Sequence, residues 1–301
     1  MKKNDRRITS PVRQWYRRYG RSLPWRGESD PYRIILSEIM LQQTQVSRVL
    51  GAYPRFLRRF PSMSSLARAR RRDVVLAWHG MGYNNRAVRL HALASVLVER
   101  EMRIPSDAPS LLELPGIGKY TAHAILSSVH GLPVPVVDVN IRRLLSRVFW
   151  RMPSTAGMRS EPEIWRKAGS ILPRRGVYDW NQALMDIGAT ICTARAPACL
   201  RCPLGEICAS RTTMTHAGRR SRKSEPGLRG VPNRIYRGRI VEALRKTEAG
   251  FRAEALGRAI HPEFSAHDLP WLKSLLAGLE RDGLIRVRPG RTPPDSRVVL
   301  A

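Results

Sequence analysis

The chain has 301 residues, of which 43% are hydrophobic, so it can bury a core and its composition excludes wholesale disorder. Lysines and arginines number 53 against 24 acidic residues, which gives a formal charge of +29. This excess is larger than solubility requires and suits a polyanionic partner, usually nucleic acid; a generally arginine-rich composition is the alternative. The sequence has no signal-peptide pattern and no stretch approaching about 18 consecutive apolar residues, so we expect a soluble intracellular protein.

Helical patterns dominate from residue 9 to about residue 210. Apolar residues recur there at intervals of three and four, which is the period of a helix with one buried face. The clearest runs are residues 32–41, 74–78, 87–98 and 164–172. Proline and glycine separate these runs, and we find no convincing alternating strand pattern between them. The region is predicted to be all-α with short loops.

The rest of the chain has a different character. Residues 211–232 are polar and basic and are predicted to be a linker, either a solvated tether or a contact with a nucleic-acid backbone. Residues 233–301 predict three helices (about 235–245, 253–260 and 269–284) and then two strands, 284–288 and 296–300. Three helices followed by a basic two-stranded hairpin resemble a winged helix, a small α+β module.

All four cysteines lie in one short stretch with the spacing C-x6-C-x2-C-x5-C; they are Cys192, Cys199, Cys202 and Cys208. Clustering in one loop of an intracellular protein favours a metal site over disulfides. Four thiolates match the ligands of a [4Fe–4S] cluster. Tetrahedral zinc is the alternative, but zinc ribbons usually use two separated C-x2-C pairs and only one is present. The expected role is structural, holding a basic loop towards a phosphate backbone.

The sequence L-P-G-I-G-K lies between two helical patterns at residues 114–119. Gly116 and Gly118 permit a tight turn with exposed backbone N–H groups, and the next helix, from near Tyr120, presents its N-terminus. Both features favour a phosphate oxygen. This is the helix-hairpin-helix pattern, which binds the DNA backbone without reading sequence.

Asp138 lies 20 residues after Gly118, just beyond Pro133 and Pro135. One interpretation is an N-cap for the helix that follows, and a capping carboxylate can also face a cleft. A carboxylate that faces a cleft can stabilise positive charge that develops on a bound substrate.

Motifs near the N-terminus carry further candidates. Residues 23–26 read L-P-W-R, residues 37–46 read S-E-I-M-L-Q-Q-T-Q-V, and residues 78–84 read W-H-G-M-G-Y-N. Glu38 lies on a largely apolar helix, where burial would raise its pKa and suit a general acid. The alternative is an exposed position on an amphipathic helix.

Together these motifs resemble the adenine DNA glycosylases of the helix-hairpin-helix (endonuclease III) superfamily, over residues 10–210. The resemblance implies a mainly α, two-lobed glycosylase fold with a [4Fe–4S] loop, joined here to the winged-helix-like α+β module. It implies a cluster lobe of residues 1–27 and 135–210 and a barrel lobe of residues 28–134 with the hairpin. The basic linker 211–232 and a domain of residues 233–301 follow.

The resemblance also implies roles for individual residues. In the catalytic group, Glu38 protonates the leaving adenine and Asp138 stabilises the sugar; the other members are Tyr120 and Asn140. The residues expected to contact DNA are Gln43, Thr44, Tyr83, Gly116, Gly118 and Lys119. Tyr83 is expected to enter the duplex opposite the lesion, and a core-edge tyrosine is the alternative. The base-pocket candidates are Trp25, Arg26 and Gln182, and the metal ligands are Cys192, Cys199, Cys202 and Cys208.

Tyr120 stands where bifunctional members carry a lysine that forms a Schiff base. Lys119, one residue earlier, points about 100° away around the helix. We therefore expect a monofunctional enzyme of base excision repair that hydrolyses the bond to a flipped-out adenine opposite 8-oxoguanine or G. Its expected partner is double-stranded DNA with a damaged or mismatched base. We expect a cytoplasmic, nucleoid-associated monomer without membrane contact.

Two features depart from the family pattern. No Nudix-like domain, which recognises 8-oxoguanine in full-length adenine glycosylases, is found in residues 233–301. Val139 occupies a position where the family usually has glycine. These departures keep open a glycosylase for T or U opposite G, or for another modified base. A non-catalytic DNA-binding module is the third possibility, and the presence of both Glu38 and Asp138 argues against it.

Overall fold

The computed structural model describes residues 3–101, 103–152, 159–213, 225–290 and 296–301 of the chain. The chain divides into two compact units. Unit 1 comprises residues 1–35, 105–113 and 117–221, and unit 2 comprises residues 36–104, 114–116 and 222–301. Each unit therefore combines segments that are distant in the sequence.

Helices dominate the described residues. In chain order they are α1 (Lys3–Tyr19), α2 (Pro31–Leu41), α3 (Val46–Arg59), α4 (Met63–Ala67), α5 (Arg71–Ala77), α6 (Asn85–Glu99), α7 (Ala108–Leu112), α8 (Lys119–Ser128), α9 (Val139–Trp150), α10 (Glu161–Ser170), α11 (Val177–Asp186), α12 (Asn233–Arg245), α13 (Ala253–Ile260) and α14 (Leu269–Arg281). The strands are β1 (Gly227–Leu228), β2 (Val231–Pro232), β3 (Phe251–Arg252), β4 (Ile285–Arg288) and β5 (Arg297–Leu300). The all-helical prediction for residues 9–210 is confirmed over the described part of that range, which contains no strand. Nowhere in the described segments does a helix have the length and apolar character needed to cross a membrane.

Unit 1 has a core shared by α1, α9, α10 and α11. Its buried side chains include Ile8, Val12, Ile141, Leu144, Leu145, Val148, Ile164, Trp180, Leu184 and Ile187. They recur at intervals of three and four, so each helix turns one apolar stripe towards the same core. Burying a large apolar side chain contributes roughly 1.5–3 kcal/mol. A π-helical turn, Ile187–Ile191, continues α11 and leads the chain to Cys192.

The compact units differ from the expected lobes in several places. Residues 28–35, 105–113 and 117–134, which were expected in the barrel lobe, group with unit 1, where α8 packs against α7 and α11. The C-terminal residues group with residues 36–104, because Val75 of α5 is buried in the same core as residues of α12.

The C-terminal segment contains the three predicted helices and one more strand than predicted. Strand β5 lies between β3 and β4 in an antiparallel sheet, and Val298 is paired with both Phe251 and Val287. Gly250, before β3, has a φ of +72°, and a Cβ there would collide with the Val298 carbonyl. Of the predicted linker, residues 214–224 lie outside the described residues, and residues 227–232 form the β1–β2 hairpin.

Candidate active site and cysteine loop

Asp138 caps α9, as one interpretation of the sequence predicted. Its Oδ1 accepts a hydrogen bond of 2.7 Å from the Ile141 N–H, and its Oδ2 accepts one of 2.6 Å from Asn140 Nδ2. Burial raises the pKa of the Asp138 carboxyl above its ordinary value, although these two hydrogen bonds oppose the shift. Asp138 keeps partial solvent access, so the carboxylate that caps α9 can also contact a bound substrate.

Asn140 connects Asp138 to the chain around the first cysteine. Its Oδ1 accepts a 3.0 Å hydrogen bond from Arg143 Nη2, and Arg143 Nε donates to the Cys192 carbonyl at 2.8 Å. Arg143 is 6% exposed and also donates to the Gly188 carbonyl. A continuous chain of hydrogen bonds therefore links Asp138 to the start of the cysteine loop.

The four cysteines line one cavity, together with Arg147. Arg147 is 2% exposed; its Nη1 lies 3.3 Å from Cys192 Sγ and donates to the Thr193 carbonyl at 2.7 Å. Burial raises the pKa of the Cys202 thiol to about 11 and that of Cys208 in the same direction. In the described part of the chain, no three His, Cys, Asp or Glu side chains converge to hold a single ion.

Asp186 is a fully buried carboxylate at the end of α11. Its oxygens accept hydrogen bonds of 2.7 Å from Arg21 Nε and from both terminal nitrogens of Arg26. Burial raises the pKa of Asp186, but the hydrogen bonds from the two arginines outweigh it, and the pKa is lowered overall. Arg26 Nε also donates to Gln182 Oε1 at 3.1 Å. The base-pocket candidates Arg26 and Gln182 are thus held together by a buried ion pair, and Trp25 beside them is 7% exposed.

Glu38 is a buried carboxyl in α2, with 8% exposure. Its neighbours along the helix, Leu36, Ile39 and Met40, are almost completely buried. The alternative of an exposed position on an amphipathic helix is therefore wrong, because α2 is buried on several sides around this residue.

Arg86 holds the end of α2 and is a residue that the sequence analysis missed. Its Nη1 donates to the carbonyls of Ile39, Met40 and Gln42 at 2.9, 2.8 and 2.6 Å. Its Nη2 donates to Thr44 Oγ1 at 2.8 Å and to the carbonyls of residues 81 and 82 at 3.2 and 3.1 Å. The guanidinium is 5% exposed, and burial lowers its pKa to about 10, so it stays charged at neutral pH. One side chain thus fixes the two turns that carry Gln43, Thr44 and Tyr83, three of the predicted DNA contacts.

Gln43 and Tyr83 lie in those turns, and both have left-handed backbone. Their φ angles are 54° and 43°, and Tyr83 is 52% exposed. A non-glycine residue in this region is strained, and such strain often occurs at functional sites. Trp78 is fully buried and donates to the Gly82 carbonyl at 3.2 Å, which anchors the second turn. The exposure of Tyr83 argues against the core-edge alternative.

The predicted hairpin lies between α7 and α8. Gly116 has a φ of +79°, and a Cβ there would lie 3.0 Å from Arg89 Cβ, so this position requires glycine. Gly118 is the N-cap of α8 with extended backbone, and a Cβ there would meet open space. The tight turn thus depends on the first glycine, while the second leaves the start of α8 uncovered.

The two residues at the start of α8 point to different partners. Lys119 Nζ lies 3.7 Å from Glu161 Oε1 and 4.5 Å from the centre of the Trp165 ring. The Tyr120 hydroxyl lies 3.7 Å from Met185 Sδ. The amine of Lys119 is thus directed to α10, and the phenol of Tyr120 to α11.

The described residues thus combine a mainly helical fold, a glycine turn before α8 and a capped carboxylate at the start of α9. This is the architecture expected of a helix-hairpin-helix DNA repair glycosylase, and similarity to known proteins assigns the chain to that class. A family model, "HhH-GPD superfamily base excision DNA repair protein", matches residues 36–168, which include Glu38, the hairpin and Asp138. The chain belongs to this superfamily.

Individual relatives agree with this assignment. The adenine DNA glycosylase of Mycobacterium tuberculosis is 41% identical over 241 residues, covering 78% of this chain and 77% of the relative. The thymine-DNA glycosylase of Aeropyrum pernix is 36% identical over 200 residues, covering 65% of this chain and 90% of the relative. A solved structure of a thermostable thymine-DNA glycosylase has a TM-score of 0.64 and 28% identity, covering 70% of this chain and 98% of the solved one. The resemblance was predicted over residues 10–210, about two thirds of the chain. The mycobacterial match covers 78% of the chain, so the similarity extends beyond the predicted range.

The residues that the sequence analysis missed are buried arginines: Arg86, Arg143, Arg147 and Arg245. The available signal was a basic residue on the apolar face of a helix. In a chain with 53 basic residues, that signal does not separate a buried guanidinium from an exposed one.

Proposed function

We propose that this protein is a monofunctional adenine DNA glycosylase of base excision repair, acting on adenine opposite 8-oxoguanine or G. The observation that carries the proposal is the buried carboxyl of Glu38 in the S-E-I-M-L-Q-Q-T segment, in a chain whose relatives include adenine DNA glycosylases. We also propose that it acts as a monomer on double-stranded DNA in the cytoplasm, at the nucleoid.

Glu38 is the proposed general acid. A general acid must hold a proton at the moment the base leaves, and a carboxyl shielded from water among buried helix neighbours is suited to that task. Proton transfer to the adenine ring makes the base a neutral leaving group when the glycosidic bond breaks. The bonding electrons leave with the base, and the sugar acquires positive charge.

Asp138 is the proposed carboxylate that stabilises the sugar. The N–H of Ile141, the amide of Asn140 and the N-terminus of α9 favour its ionised form against the cost of burial. Asn140 is therefore assigned to hold Asp138. Water completes the hydrolysis by adding hydroxide to the sugar carbon and releasing a proton.

The absence of lyase activity is proposed from Tyr120. A phenol cannot form the Schiff base with the sugar that strand cleavage by a bifunctional enzyme requires. The neighbouring Lys119 points to Glu161 and Trp165. Tyr120 is assigned to pack at the sugar near Asp138.

The DNA contacts are proposed to come from the two strained turns and the hairpin. The residues are Gln43, Thr44, Tyr83, Gly116, Gly118 and Lys119. Exposure and left-handed backbone at Gln43 and Tyr83 support insertion into the duplex, whereas Thr44 serves mainly to bind Arg86. Trp25, Arg26 and Gln182 remain the proposed base pocket, organised by Asp186.

The cysteine loop is proposed to hold a [4Fe–4S] cluster through Cys192, Cys199, Cys202 and Cys208. The four thiols line one cavity, and their spacing, with a single C-x2-C pair, favours this over a mononuclear zinc site. The cluster would supply four metal–thiolate bonds that fix the loop. Arg195 and Arg201 are exposed on that loop, which suits contact with phosphate.

The C-terminal residues 233–301 are proposed to be a winged-helix module that also contacts the DNA backbone. Three helices and the sheet order β3-β5-β4 support the first part. Arg288 and Arg297 are paired across the two strands and line one cavity with Arg70, Arg72 and Glu248, which lies 3.7 Å from Arg72. Like charges placed directly opposite each other are unfavourable, and a phosphate would relieve the repulsion. The finer division into lobes of residues 1–27 with 135–210 and of residues 28–134 is kept as part of the proposal.

A second candidate is a glycosylase for T or U opposite G, or for another modified base. Val139, next to Asp138, is 64% exposed where the adenine family usually has glycine, and two relatives are thymine-DNA glycosylases. A single-turnover assay on duplexes with A:8-oxoguanine, A:G, T:G and U:G separates the candidates. Release of adenine supports the proposal, and release of T or U supports the second candidate. Binding without release of any base would leave a non-catalytic module.

A further inference from the structure

The C-terminal module packs against the segment that carries Tyr83, within unit 2. Val75 of α5 is completely buried in one core with Tyr236, Ile240 and Leu244 of α12. The module is thus joined to α5 by a continuous apolar core, and α5 leads directly into residues 78–84.

Arg245, the last residue of α12, makes the closest polar link to that segment. Its Nη2 donates to the Val75 carbonyl at 2.9 Å and to Asn84 Oδ1 at 3.0 Å. Its side chain is 7% exposed and also pairs with Glu242. A buried guanidinium with fixed acceptors is a rigid support, because moving it would leave charge and carbonyl groups unpaired.

A second side chain of α12 reaches the other side of the same segment. Glu242 Oε2 lies 3.3 Å from His79 Nε2. The module therefore contacts residues 79 and 84, which flank the exposed tyrosine. Glu242 and Arg245 are three residues apart and lie on the same face of α12, so the two contacts move together.

Tyr83 itself is held by Arg86. Arg86 Nε donates to the Tyr83 carbonyl at 3.4 Å, and its guanidinium lies 5.8 Å from the centre of the tyrosine ring. The φ of 43° at Tyr83 is a strained conformation that persists only where the surroundings impose it. Arg86 thus contacts residues 81–83 of this turn, and Arg245 contacts Asn84, the residue after Tyr83.

We propose that Arg245 is a positioning residue that holds the Tyr83 turn through Asn84, so that the C-terminal module determines how the enzyme discriminates the base opposite its target. The inference rests on the proposed function, in which Tyr83 enters the duplex. It assigns the module a role in specificity that is separate from backbone binding.

The test compares full-length wild type with Arg245→Ala, Asn84→Ala and the double variant. Arg258→Ala is the matched control, because Arg258 is an exposed arginine of the same module. Single-turnover excision of adenine is measured opposite 8-oxoguanine and opposite G. We expect each single variant to reduce the ratio of the two rate constants by about tenfold, since it removes a hydrogen bond to a charged group and such a bond contributes about the free energy of a tenfold change. The double variant should lose no more than either single variant, because both changes remove one interaction.

Hydrogen exchange of the DNA-free proteins provides a readout that is independent of catalysis. Amides of residues 78–84 should exchange faster in Arg245→Ala and Asn84→Ala, while amides of residues 87–99 keep their wild-type rates. Asn84→Ala leaves the module's core intact, so the test survives if Arg245→Ala does not fold. Wild-type protein that releases no adenine would overturn the proposed function. Two results would overturn the role of Arg245. One is a folded variant with wild-type exchange at residues 78–84 and an unchanged ratio of the two excision rate constants. The other is a variant that loses stability while this ratio stays unchanged.

Discussion

Replacement of Arg86 by methionine is expected to destabilise unit 2 severely. Methionine retains much of the apolar stem and removes the charge and all the hydrogen bonds. Three carbonyls near the end of α2, the Thr44 hydroxyl and two carbonyls of residues 81–82 are then left without this donor. Most of these groups are shielded from water, so solvent cannot fully replace the guanidinium.

The structure gives an approximate magnitude for this effect. At about 1.5 kcal/mol for each hydrogen bond to a charged group, six bonds amount to about 9 kcal/mol. The variant no longer has to desolvate a guanidinium, which returns several kcal/mol. A net destabilisation of roughly 3–5 kcal/mol remains, as is found when one partner of a buried charged group is removed. Since whole domains are stable by only about 5–15 kcal/mol, the variant should be close to unfolding.

Urea denaturation followed by circular dichroism measures this destabilisation, with Arg89→Met as the control. Arg89 is an exposed arginine of the same helix, α6, and its replacement should change the unfolding free energy by less than about 0.5 kcal/mol. Indistinguishable unfolding curves for the two variants would refute the assignment of Arg86 as the residue that fixes both turns.

Three further predictions concern catalysis, DNA binding and the buried ion pair. Glu38→Gln and Asp138→Asn should each abolish excision while DNA affinity in a gel-shift assay is retained. Because burial raises the pKa of Asp138, its ionisation costs stability, in full above the raised pKa, and this cost declines as pH falls from the raised pKa towards the ordinary one. Asparagine also caps helices well, so Asp138→Asn should melt at or above the wild-type temperature; a large drop would contradict this account. The double variant Arg288→Ala, Arg297→Ala should reduce the slope of log affinity against log salt by about 0.9 for each DNA phosphate that strands β4 and β5 no longer neutralise. An unchanged slope would exclude these two strands from the DNA interface. Asp186→Asn should cost roughly 3–5 kcal/mol at neutral pH. Because the pKa of Asp186 is lowered in the folded state, wild type should lose this stability as pH falls through that pKa; equal stability of the two proteins at pH 7 would contradict the prediction.

Features with a local cause were predictable from the sequence. The cap at Asp138 follows from a carboxylate immediately before a helical run, and α13 has the predicted bounds because its apolar period is regular. Strand β3 was missed because it has two residues and is defined only by its pairing with β5. A strand that short has no periodicity of its own.

Features with a tertiary cause were not predictable. The roles of Arg86 and Arg245 depend on carbonyls that lie far away in the sequence, and a carbonyl carries no sequence signal. The burial of Glu38 was suggested by its apolar neighbours, but the amphipathic alternative was excluded only by the surroundings of α2. The grouping of the C-terminal module with unit 2 likewise depends on Val75, which reads in sequence as an ordinary apolar position.

The central claim is tested most directly by identifying the base released from a duplex with adenine opposite 8-oxoguanine. The protein is incubated in excess over the duplex, free bases are separated by chromatography, and the strand is analysed before and after alkali. The account predicts that free adenine is released and that the strand breaks only after alkali, with no release by Glu38→Gln. Retention of adenine, with release of thymine or uracil from G-containing mismatches, would contradict it.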